Sequence, residues 1–147
     1  MEQQNMSQAE WQVMRVLWAY PHSRSTEIIA RLEADFSWKP ATIKTLLNRL
    51  KTKEFIAMEK IEGKFYYDAR ILEADHLEST WQALFDNICN TKHGDLLISM
   101  IERSQFSQGD LERLSQVIDK KRASAPLEIK CHCPQGQCQC GHGKETH

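Results

Sequence analysis

Apolar residues recur at helical spacing three times in the first fifty positions, and the period then changes to that of a strand. Ser7-Gln-Ala-Glu10 has the spacing of a capping box, so it opens a helix. Trp11, Met14, Leu17 and Trp18 follow on one face, and Pro21 stops the run. Ser25 is placed to cap a second helix with Ile28, Ile29 and Leu32 facing inward. Ser37-Trp38-Lys39-Pro40 opens a third, with proline near the first helical position and an apolar stripe of Ile43, Leu46, Leu47 and Leu50. Phe55 to Ile61 then reads as a strand, Glu62-Gly63-Lys64 as a turn, and Phe65-Tyr66-Tyr67 as the returning strand. Short helices with short connections, followed by a hairpin, predict a winged helix-turn-helix. The three tryptophans of this region, Trp11, Trp18 and Trp38, are assigned to its core.

The second half is patterned differently. Leu77, Trp81, Leu84, Phe85 and Ile88 form one helical stripe, and Leu96, Leu97, Met100 and Ile101 a second. Ser107 caps a third helix with Leu111, Leu114, Val117 and Ile118 inward. Three such helices, about 45 residues in all, make a thin core by themselves. They are therefore expected to pair with a second chain. After Arg122 the periodicity ends. The expected organisation is a mainly α chain: a winged helix-turn-helix over 1–72, a helical dimerisation region over 73–122, and a linker with a cysteine-rich tail over 123–147.

Composition narrows the class. Of the 147 residues, 41% are hydrophobic and 27% charged, as in ordinary globular proteins. No apolar run approaches the roughly 20 residues of a membrane span, and no secretory signal is visible at the N-terminus, so a cytoplasmic location without membrane partners is expected. The net charge of −1 conceals an asymmetry: residues 1–70 hold eleven Lys/Arg against nine Asp/Glu, and residues 71–147 hold eight against eleven. Between Lys39 and Lys64 the basic excess is sharper, which points to a local anionic partner as well as to a solvated helix face.

The buried stripe of the third helix fixes its opposite face. At about 100° per residue that face centres on Ala41, Thr45, Asn48 and Thr52, flanked by Lys44 and Arg49. Lys and Arg can address guanine, Asn can address adenine, and methyl groups can meet thymine in a major groove. Arg49 and Lys51 can instead hold phosphates, which set register without reading sequence. Lys60 and Lys64 suit phosphate or minor-groove contact from a wing.

Four of the five cysteines lie within ten residues, as Cys131-x-Cys133 and Cys138-x-Cys140 separated by Pro-Gln-Gly-Gln. In a reducing compartment such clustering points to metal more than to disulfides. Thiolates favour zinc, Cu(I) and iron–sulfur clusters, and four of them complete a tetrahedral zinc site. The usual zinc spacing is Cys-x2-Cys, however, and the tighter Cys-x-Cys suits sulfurs that bridge two Cu(I) ions. Structural zinc and passive metal storage stay open on spacing alone. His132, His142 and His147 lie nearby, but four thiolates already suffice. Cys89 stands apart on an apolar helix and reads as a small buried hydrophobe. No nucleophile–base spacing or phosphate-binding glycine loop is present, so an enzyme is not expected.

The segments SQAEWQVMRVLW, STEIIARL, WKPATIKTLLNRL and GKFYY together resemble the penicillinase-repressor (BlaI/MecI) family of winged-helix regulators, and the tail looks like its copper-responsive, CopY-type branch. The resemblance implies a homodimer that holds an inverted-repeat DNA operator of copper-homeostasis genes when loaded with Zn2+. It implies release when Cu+ displaces the zinc, with a copper chaperone as a candidate donor. By motif match, Cys131, Cys133, Cys138 and Cys140 would be the ligands. Thr42, Lys44, Thr45, Asn48 and Arg49 would lie on the recognition helix, and Lys60 to Lys64 in the wing. Two departures stand out. Family members often carry Gly where this chain has Glu54. The bond at which the β-lactam repressors are cleaved matches Ile98-Ser99-Met100-Ile101 here, which does not support that mode. The alternative function is a cytosolic copper buffer or chaperone without DNA binding.

Overall fold

A computed structural model describes residues 5–139, and they divide into two compact units between Glu78 and Ser79. The first unit begins with α1 (Gln8–Ala19). Its start is closed as the spacing predicts: the Glu10 amide donates to Ser7 Oγ at 3.1 Å, and the Ser7 amide donates to Glu10 Oε1 at 3.0 Å. A two-residue strand, β1 (Ser23–Arg24), leads into α2 (Ser25–Asp35). The cap of α2 is therefore Arg24 rather than Ser25, and the Arg24 amide donates to the Glu27 carboxylate at 3.0 Å. α3 (Pro40–Thr52) has Pro40 at its first turn. β2 (Ile56–Ile61) and β3 (Lys64–Ala69) form the hairpin.

The sheet is antiparallel in the order β1-β3-β2. Ile61 pairs with Lys64, so Glu62 and Gly63 alone make the turn, at φ 51° and 80°. Two positive φ values give the two-residue hairpin turn whose twist matches the strands it joins. The core lies where the helices meet the sheet. Val13, Met14, Leu17, Ile28, Leu32, Ile43, Leu46, Leu47, Leu50, Ile56 and Tyr67 are buried. Each large aliphatic side chain among them contributes about 1.5–3 kcal/mol by leaving water. Trp18 and Trp38 pack against this core, and Trp18 Nε1 donates to the Ile71 carbonyl at 2.9 Å. Trp11 meets the His76 ring edge-on at 4.6 Å, and burial holds the His76 imidazole below its usual pKa. This is the winged helix-turn-helix that the periodicity predicts.

The end of α3 explains how the chain does without glycine at position 54. The Phe55 amide donates to the Leu50 carbonyl and the Glu54 amide to the Lys51 carbonyl, both at 3.0 Å. These bonds define a Schellman closure with Glu54 in the left-handed position, at φ 65°. An L-residue there costs about 1–2 kcal/mol. Glycine would relieve that strain but loses about 0.5–1 kcal/mol of chain entropy on folding. Glu54→Gly is thus expected to stabilise the unit by about 0.5–1 kcal/mol. A thermal melt that fails to rise would show that Glu54 is not strained.

The second unit carries most of α4 (Glu73–Asp86), α5 (His93–Arg103) and α6 (Gln108–Arg122). Ser107 forms the expected capping box with Asp110. α4 stops short of Ile88, which the sequence pattern had included. The Asn87 and Ile88 amides donate to the Leu84 and Phe85 carbonyls in tight turns, and His93 Nε2 donates to the Phe85 and Ile88 carbonyls at 3.0 and 3.1 Å. No residue of α4, α5 or α6 is buried. Leu97, Ile98, Met100, Leu111, Val117 and Ile118 are exposed, whereas Leu96, Ile101 and Leu114 are half-buried. Among the described residues, no helix is long and apolar enough to cross a membrane.

Candidate nucleic-acid face and metal centre

Burial of Ile43, Leu46, Leu47 and Leu50 rotates the rest of α3 outward. Thr42, Lys44, Thr45, Asn48, Arg49 and Lys51 are all exposed, as are Lys60 and Lys64 at the hairpin. Thr45, Asn48, Arg49, Thr52 and Lys53 line a shallow hollow of about 300 Å³. The Thr45 hydroxyl donates to the Ala41 carbonyl at 3.0 Å, so its proton is committed to the helix. What Thr45 can offer outward is its methyl group and an acceptor lone pair. Asn48 and Arg49 have no such tie among the described hydrogen bonds. Lys53 differs from the other cations of this face. Its ammonium donates to Glu10 Oε1 and to the Asn5 carbonyl, both at 2.8 Å, and ties α3 to the start of α1. Lys60 at the wing lies 5.5 Å from the centre of the Phe65 ring, its cross-strand neighbour.

The candidate metal centre is built from two distant segments. Cys89 is not on a helix, as the sequence pattern suggests, but in the turn after α4, next to a short 3-10 turn at Asn90–Lys92. There it meets the tail. Its sulfur lies 3.6 Å from that of Cys131 and 3.7 Å from that of Cys138, and Cys131 and Cys138 are 3.3 Å apart. With Cys133, these four sulfurs lie within 4.8 Å of one another. One tetrahedral ion with bonds of about 2.3 Å needs sulfurs about 3.8 Å apart, so the donor set fits zinc or another soft ion. Cys89, Cys131 and Cys133 carry reduced sulfurs. Cys138 is disulfide-bonded, so it serves as a ligand only when reduced. Cys140 and the histidines at 142 and 147 lie outside the described residues.

The electrostatics of these thiols are uneven. The Thr91 hydroxyl, 3.0 Å away, is the main cause that pulls the Cys89 thiol down to about 7, with smaller help from Cys133 and Cys131 and opposition from burial. Hydrogen bonding to Cys89, then to Cys131, and burial push the Cys133 thiol up to about 12. The close sulfurs thus push the two thiols in opposite directions, Cys89 down and Cys133 up. Asn90 fixes the tail beside it. Its side-chain amide donates to the Lys130 carbonyl at 2.7 Å, and its carbonyl accepts from the His132 amide at 3.2 Å. Sequence reasoning missed both Cys89 and Asn90. The Asn-Ile-Cys-Asn-Thr run was the available signal, since Asn and Thr mark a turn there more than a helix.

A winged helix with an exposed basic α3 and a soft-metal donor set on one chain defines the class of molecule. The chain belongs to the penicillinase repressor family, whose model matches residues 6–120. It is 36% identical over 132 residues to an uncharacterised 16.5 kDa protein from the ptsI 3′ region of Latilactobacillus sakei, covering 90% of each. It is 29% identical over 116 residues to the methicillin resistance regulatory protein MecI of Staphylococcus aureus (strain N315), covering 79% of this chain and 94% of MecI. Among solved structures, it is similar to the DNA-binding domain of the repressor BlaI in solution (34% identity, 51% of this chain and 93% of that one, TM-score 0.46).

Proposed function

We propose that the chain is a metal-responsive transcriptional repressor. In this reading a homodimer binds an inverted-repeat operator with α3 in the major groove when zinc fills the sulfur cluster. Cu(I), displacing zinc, releases it. The observation that carries the reading is one chain holding both an outward basic α3 face and a four-sulfur donor set. Membership of a repressor family supports the DNA half. The soft donors support the metal half. The exposed apolar faces of α5 and α6 support a second copy as the partner, with residues 73–122 as the dimerisation region, 1–72 as the DNA-binding domain and 123–147 as linker and metal-binding tail.

Charge does not distinguish the two metal states. One zinc with four thiolates carries 2 − 4 = −2, and two Cu(I) ions with the same four also carry −2. The switch must then act through geometry and through contacts between chains. Coupling between the sites of about 1–3 kcal/mol is typical, which is a change of roughly 5- to 150-fold in affinity. Operator binding by apo, zinc-loaded and Cu(I)-loaded protein at one salt concentration tests this, with promoter DNA upstream of the chain's own gene. The zinc form should bind tightest, the Cu(I) form should be weaker by that factor, and affinity should fall steeply with salt. If promoter DNA is not retarded in any metal state while metal still binds, the chain is a copper buffer or chaperone.

A further inference from the structure

We propose that the metal centre is tertiary: Cys89, from the turn after α4, is a ligand together with Cys131, Cys133 and Cys138, and Asn90 is the positioning residue that holds the tail in register for it. This rests on the metal-binding reading above and specifies which part of the chain the metal grips. Two independent observations converge on it. The Cys89 sulfur sits at ligand spacing from Cys131 and Cys138, 42 and 49 residues away in sequence. The neighbouring Asn90 makes two backbone hydrogen bonds, to Lys130 and His132, that bracket Cys131. A side-chain amide that pairs with a carbonyl and an N–H in this way acts as one residue of a strand ladder. It fixes both the direction and the register of the tail. Cys89 and Cys131 are also the two most buried members of the set, each 9% exposed.

The consequence is regulatory. A metal held only by the tail would order only the tail. A metal that also holds Cys89 ties the tail to the connection between α4 and α5, so loading and unloading acts directly on the helical region. Cys89 then becomes the route by which the metal state reaches those helices.

The test uses the full-length reduced protein and Zn2+ alone. In the wild-type chain, mass spectrometry after alkylation should show zinc protecting Cys89 in parallel with Cys131 and Cys133. Cys89→Ser should weaken zinc binding at least tenfold in a chelator competition and should reduce the thiolate-to-metal absorption of the Co(II)-substituted protein by about a quarter, one sulfur in four. Asn90→Ala keeps every ligand and should weaken zinc by about 10- to 100-fold, the usual effect of losing a partner that orients ligands. If Cys89 alkylates at its metal-free rate while Cys131 and Cys133 are protected, the site lies in the tail alone and the inference is wrong, although metal binding stands. If zinc protects none of the cysteines, the metal reading itself fails. The wild-type alkylation pattern decides the matter even if a variant folds poorly.

Discussion

Lys53→Met is expected to destabilise the winged-helix unit by about 3–5 kcal/mol, the usual cost of removing one partner of a buried ion pair. Lys53 looks like one more cation of a basic surface, yet its partner makes it structural. The Glu10 side chain is 2% exposed, and its Oε2 has no hydrogen-bond partner among the described residues. Burial works to raise the Glu10 carboxyl, but Lys53 and Ser7 outweigh it and hold the carboxyl below its usual range. Methionine would leave a buried carboxylate with Ser7 as its remaining partner. In a domain of this size each kcal/mol moves the melting temperature by about 4–8 °C, so the loss should exceed about 10 °C. The sign with pH follows from the depressed carboxyl. In the wild type its contribution is present above the unfolded pKa, near 4.3, and lost as pH falls through the lower folded value. Without Lys53, burial dominates and the carboxyl moves the other way. The gap between the two proteins should therefore narrow in acid, and Glu10→Gln/Lys53→Met should recover part of the loss. A melt within about 2 °C of wild type would show that the pair carries no such weight.

Arg49→Ala should weaken operator binding by about 5- to 150-fold, the 1–3 kcal/mol that one base-reading arginine supplies. Arg49 is exposed beside Asn48 at the hollow on α3. The salt dependence separates two uses of the same side chain. If Arg49 reads a guanine, the loss falls mainly on the correct sequence and unrelated DNA is bound almost as before. If it holds a phosphate, all sequences weaken together and the slope of log K against log salt drops by about one. Unchanged affinity for operator and unrelated DNA at every salt concentration would remove α3 from the interface. Lys51→Ala is the comparison, since its place near the end of α3 suits phosphate contact alone.

What could be read from the sequence depended on how local each cause was. α1, α3 and the hairpin are specified by neighbouring residues: the Ser7/Glu10 box, Pro40 at the first turn, the Ile43 to Leu50 stripe and the Glu62-Gly63 turn. The outward face of α3 follows from that stripe, so every DNA-facing residue predicted there is exposed in the fold. β1 escaped because a two-residue strand has no period; only its pairing with Tyr66 and Tyr67 makes it one. The end of α4 was overrun because Ile88 continues the apolar spacing, while His93 and Asn87 close the helix through contacts the spacing does not encode. Cys89 was misplaced for the same reason. Its sulfur partners arrive from 42 and 49 residues along the chain.

That arrangement bears on modularity. The ten-residue cysteine motif looks portable, a cassette that could be fused to any regulator to make it metal-sensitive. On the proposal that Cys89 and Asn90 belong to the site, the cassette alone is incomplete. A chimera that receives only residues 123–147 would inherit the tail sulfurs without a foothold. One that also receives the α4–α5 turn would inherit the lever. Comparing the two chimeras on an unrelated winged helix would separate capacity to bind metal from capacity to respond to it.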